Sequence, residues 1–145
     1  MKPGQWPGFF MDLSVLLKLL FIIFSCFIAV FDIKTGGVPR IYFIIAFPVF
    51  FILMVFSNLP LVEAVVGLFA GLFAYLLAYF ISGKKLGLAD VWYSALSGLV
   101  LGSPRWGMAI IIGCAAGIIF ILVFKQRKIP FIPCMALGAI IMCFF

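Results

Sequence analysis

Histidine is absent from this sequence, and acids are nearly so: Asp and Glu together number 4 in 145 residues. The missing imidazole excludes Ser-His and Cys-His nucleophilic catalysis and every His-ligated metal. Cysteine is sparse too. Cys26, Cys114, Cys134 and Cys143 stand singly in apolar runs with no C-x-x-C pair, which fits small buried hydrophobes rather than a metal site or a disulfide framework. Charge of either sign makes up only 10% of the chain, against roughly a quarter in a soluble domain.

What fills the chain is apolar: 68% of residues are hydrophobic and Phe alone occupies 19 positions. That is more apolar surface than one core can hide, so the sequence reads as an integral membrane protein. At about 20 residues per span, the length allows roughly six spans and no separate soluble domain, giving a single unit over residues 1–145. Apolar stretches run over Leu13–Phe31, Ile41–Phe56, Leu61–Ile81, Val91–Leu101, Trp106–Phe124 and Phe131–Phe145. They lack the alternation of a membrane barrel, which leaves helices. The expected fold is an all-α polytopic bundle of about six transmembrane helices. Gly36-Gly37 with Pro39, Asn58 with Pro60, Gly83, Gly102-Ser103-Pro104 and Pro130 punctuate the runs. Residues 1–12, with Trp6, Phe9 and Phe10, read as a lead resting at the interface rather than a cleaved signal peptide.

The formal net charge of +6 does not point to nucleic acid, because its basic residues are spread between apolar runs and set topology instead. Loops after the first, third and fifth runs hold Lys34, Arg40, Lys84, Lys85, Lys125, Arg127 and Lys128, whereas the opposite side holds Lys2 and Arg105. The odd loops are therefore expected in the cytoplasm, with both termini outside. Lys18, inside the first run, reads as snorkelling to the outer interface, with a counter-ion role as the alternative.

With so few acids, each can be weighed. Asp12 and Glu63 lie near the starts of runs, where an acid favours a helix N-terminus. Asp32 and Asp90 differ, because the expected topology puts both on the cytoplasmic side, one closing the first span and one opening the fourth. About 11 residues separate Asp90 from the Gly102 break, or roughly 16 Å of a ~30 Å hydrocarbon core, so Asp90 is expected below the membrane surface. A carboxylate at that depth is a functional-site candidate. A plain alternative makes Asp90 the N-cap of a short span and Asp32 a loop residue. Paired carboxylates suit general acid–base activation of water, and the helix ends favour Asp90 as the base and Asp32 as the acid.

Asp32 followed by Val38-Pro39 across a basic loop, and Gly87-Leu88-Ala89-Asp90 opening a later span, resemble the two motifs of the type IV prepilin peptidases. Those are six-helix intramembrane aspartyl proteases with a Gly-x-Gly-Asp signature. Ile129-Pro130-Phe131-Ile132-Pro133, with Ala136-Leu137-Gly138, is similar to that family's last span. The resemblance implies that Asp32 and Asp90 are the catalytic pair, with Pro39, Gly87, Ala89, Pro130 and Pro133 as supporting motif positions. It implies a prepilin-like or pseudopilin substrate with an apolar helix, whose basic leader is cut at the cytoplasmic face of the inner membrane without metal or cofactor. Three positions depart from the pattern: Ala89 stands where the family usually has Gly, Trp92 where Lys is frequent, and Arg40 where Asn is common. The two C-x-x-C pairs of the bifunctional methylating enzymes are missing, which implies a stand-alone peptidase. Two other readings stay open: a non-catalytic relative that binds or assembles pilus components, and a small transporter using Asp90 as a proton or cation site.

Overall fold

The computed structural model describes residues 7–57, 59–125 and 131–145, with side chains from residue 13 onward. They form α1 (Pro7–Thr35), α2 (Arg40–Phe56), α3 (Leu61–Ile81), α4 (Leu88–Leu101), α5 (Ser103–Phe124) and α6 (Phe131–Phe144), with no strand among the described residues. The helix bounds follow the apolar runs closely. At the amino terminus they differ: α1 begins at Pro7, so the second half of the expected lead is helical and Asp12 lies within the helix rather than before it. Pro130, Arg127 and Lys128 lie outside the described residues.

Local chemistry sets the breaks. The α1 helix closes where the Gly36 N–H donates to the Asp32 carbonyl at 2.8 Å and Gly36 takes a φ of +69°, a left-handed turn that glycine enters without strain. Pro39 and Pro60 supply extended N-caps to α2 and α3. Gly102, at φ +78°, separates α4 from α5 without any intervening loop.

Three helices are long and apolar enough to cross a bilayer: Leu13–Thr35 of α1 (23 residues), α3 (21 residues) and α5 (22 residues). The other three are shorter, and α4 at 14 residues reaches only about 21 Å. Its burial explains why it needs no more. Within α4, Val91 and every residue from Tyr93 to Leu101 are buried, and the helix touches all five others. A helix apolar on all sides and surrounded by protein is a core element.

Around this axis, Leu17, Phe21 and Ile28 of α1, Phe43, Phe50 and Met54 of α2, and Ile132 and Met135 of α6 make the core. Phe21 stacks on Tyr93 with centroids 6.4 Å apart and meets the edge of Phe50 at 5.9 Å. The outer faces stay apolar, with Val62 75% and Leu122 71% exposed, as a lipid-facing surface requires. The molecule is an all-helical membrane protein. Cys134 and Cys143 are buried, as expected of small hydrophobes, but Cys26 and Cys114 are exposed, because they fall on outward faces of α1 and α5.

Glycines within the helices serve packing. A Cβ on Gly67 would strike the Gly98 carbonyl oxygen, one on Gly98 would strike that of Gly67, and one on Gly71 would strike that of Ser94. The α3 and α4 backbones therefore lie in contact, the close approach that small residues permit in membranes. Gly138 meets the Ala109 carbonyl in the same way between α5 and α6, while a Cβ on Gly113 would sit tight against the Cys134 carbonyl at 3.1 Å. Gly117 is looser, its nearest neighbour being Cys134 Sγ at 3.9 Å.

Candidate active site

The carboxyl end of α1 and the amino end of α4 present the two singled-out acids. Asp32 stands one turn before Thr35 closes α1 and is half-buried. Asp90 is 7% exposed. Their charges lie within electrostatic range of each other across 58 positions of sequence (90 minus 32), and among the described residues no hydrogen bond joins them.

Asp90 is not an N-cap. Gly87 holds that position, and Asp90 is the third residue of the helix, where its Oδ2 accepts the Gly87 N–H at 3.1 Å while its own N–H donates to the Gly87 carbonyl at 3.1 Å. This is the returning half of a capping box, and it fixes the carboxylate's rotamer. Gly87 has a φ of −70°, open to any residue, so only space bears on the choice of glycine. A Cβ there would sit 3.2 Å from Asp90 Oδ2. Ala89 lies in regular helix, half-buried against the core. Alanine adopts that backbone freely, so the departure from glycine introduces no strain.

The remaining motif positions frame this end. Pro39 is exposed and starts α2 at φ −61°. Pro133 is half-buried in the first turn of α6, where a missing N–H costs no helical bond. Trp92, two residues on from Asp90 and so on another face of α4, is 39% exposed and meets the Phe47 ring edge of α2 at 5.8 Å. Arg40, Lys84 and Lys85 are exposed in or beside the loops flanking the two acids.

One residue was not singled out from the sequence. Tyr75 of α3 is buried, lies within electrostatic range of Asp90, and packs on Phe131 of α6 with centroids 6.2 Å apart. Its only signal in the sequence is a phenol in the interior of an apolar span, which is equally a packing residue. Glu63, in the first turn of α3, occupies the helix-start position expected of it, and it lies at the opposite end from Asp90, facing Gly102.

Residues 19–122 match the type IV leader peptidase family. The matched stretch includes both acids, Pro39, Gly87 and Ala89, and stops short of α6 and Pro133. No curated protein and no solved structure gives a significant match.

Proposed function

Because the chain belongs to the type IV leader peptidase family, we propose that it is an intramembrane aspartyl endopeptidase that removes the basic leader from type IV prepilin-like or pseudopilin substrates. The observation that carries this reading is the approach of Asp32 and Asp90 from the ends of two different helices, in a chain without histidine and with so few other acids.

In this mechanism the two carboxylates share one proton, as close acids do. The unprotonated one takes a proton from a water between them as its oxygen attacks the scissile carbonyl, and the protonated one donates to the carbonyl oxygen. The tetrahedral diol then collapses: the carboxylate takes a proton from one diol hydroxyl as the carbonyl re-forms, the carboxyl gives its proton to the departing amine nitrogen, and the C–N bond breaks, which returns the pair to its one-proton state. Gly87 holds Asp90 Oδ2, so Oδ1 is the oxygen assigned to the water. Asp32 is the less buried of the two acids.

The basic loops orient the chain. By the positive-inside rule, the basic residues Lys34, Arg40, Lys84 and Lys85 support a cytoplasmic orientation of the carboxylate end, in an inner membrane that the bundle crosses. Recognition then rests on the substrate's apolar helix and backbone, since a basic leader gains nothing from basic loops.

The deciding experiment is co-expression in membranes with a tagged type IV prepilin, scoring leader removal by gel shift. The wild type cleaves, and neither Asp32→Asn nor Asp90→Asn does. Cleavage that survives either substitution overturns the dyad.

A further inference from the structure

At the far end of α4, about 12 residues or roughly 18 Å from Asp90, lies a cavity that the proposed peptidase reaction does not use. Its volume is about 200 Å³, several times the ~30 Å³ share of one water. Leu99, Val100 and Leu101 form its buried apolar wall. Lys18 of α1, Glu63 of α3 and Arg105 of α5 bring three charges to it from three helices.

The charges do not balance: two cations against one carboxylate leave the cavity with a net charge of +1. Lys18 is half-buried, and from Leu13 it lies about 8 Å along a membrane-crossing stretch. Both Lys18 and Arg105 also act electrostatically on the buried Cys143 of α6, so the two cations converge on one place. With one carboxylate for two cations, the site favours an accompanying anion. The α5 helix begins at Ser103 beside the cavity with no side-chain cap, so the positive end of its dipole adds to the same field.

We propose that this cavity binds a phosphate group carrying one negative charge, held by Lys18 and Arg105, either as the phosphodiester of an anionic lipid headgroup or as free phosphate. One such charge neutralises the +1 of the cavity. The exposed Leu61, Val62 and Val66 on α3 offer an apolar track for an acyl chain beside Glu63.

The test uses the full chain, delipidated in neutral detergent and titrated separately with short-chain phosphatidylglycerol, inorganic phosphate and diacylglycerol, with binding read by native mass spectrometry. Phosphatidylglycerol is expected to saturate at one equivalent while diacylglycerol does not. Arg105→Gln, at an exposed position that does not threaten the fold, raises Kd about tenfold, the loss of one charge-assisted contact. Lys18→Met acts in the same direction, whereas Glu63→Gln tightens binding severalfold by removing the opposing charge. If inorganic phosphate saturates the site as tightly as the lipid, the free ion is the ligand; if only the lipid does, the headgroup is. Absence of saturable binding in both phosphate arms, or a Kd unmoved by both Arg105→Gln and Lys18→Met, overturns the proposal.

Discussion

Gly87 shows at the scale of one residue how a backbone requirement becomes a chemical one. Its φ of −70° is ordinary, and the Asp90 carboxylate closes onto the Gly87 N–H where an added Cβ would sit close by. Gly87→Ala places a methyl 3.2 Å from Oδ2, so the acid must shift by a few tenths of an ångström. We expect cleavage to fall by about threefold, the smaller consequence of a shift of tenths of an ångström, with thermal stability nearly unchanged. Single-turnover cleavage alongside a melting curve checks both halves. Ala89→Gly is expected to leave activity within about twofold, since Ala89 already sits in unstrained helix, at a stability cost of about 1 kcal/mol. A large gain in cleavage for that variant would show that the alanine restrains the site. Tyr75→Phe separates packing from polarity at the same site. The ring contact with Phe131 survives, so a drop in the cleavage rate without loss of stability assigns the hydroxyl to Asp90.

Between elements, the α3–α4 and α5–α6 pairs carry the tightest contacts, and both depend on glycine. Gly98→Ala drives a methyl into the Gly67 carbonyl on a facing backbone, which has no flexible end to yield. Overpacking of this kind costs about 1–3 kcal/mol. Gly117→Ala meets only Cys134 Sγ at 3.9 Å and is expected to be nearly neutral. Comparing the two variants by thermal unfolding in detergent gives a direct control. Polar rungs tie α4 sideways as well, with Tyr93 donating to Ser25 Oγ at 2.8 Å and Trp106 Nε1 donating to Ser94 Oγ at 3.3 Å. Tyr93→Phe is expected to cost about 0.6 kcal/mol, the average for such bonds in membranes, because the unfolded chain in lipid also finds partners.

Across the whole molecule, the arrangement is a short, buried α4 carried by longer helices, with one acid from α4 and one from α1 at a single end. The proposed orientation puts that end in the cytoplasm. With the four native cysteines replaced by alanine, Gly37→Cys, where nothing lies within 4 Å, is expected to resist an impermeant maleimide added outside the cells. Arg105→Cys, exposed at the other end, is expected to react. Reversal of that pattern would invert the proposed topology and place the acids outside. Polar chemistry at that end and a net positive cavity at the other would also respond differently to salt, since exposed charges are screened within about 10 Å at 0.1 M.

The sequence by itself determined the helices, because an apolar run in a bilayer must satisfy its backbone internally and Gly and Pro mark where it cannot continue. The α3 bounds, Leu61–Ile81, coincide with the apolar run, and α4 ends at the Gly102 break. It also narrowed the candidate acids, because so few were present to choose from. Asp90's place as third residue rather than N-cap was not legible, since cap geometry depends on the backbone angles of the chain before it. Nor was the role of Tyr75, nor the meeting of Lys18, Glu63 and Arg105. Those depend on which helix faces which neighbour, and an all-apolar span carries too little polar contrast to declare its inward face. Only the tertiary packing, set by backbone contacts at Gly67, Gly71 and Gly98, decided that α4 is the buried centre and that its two ends hold groups from different helices.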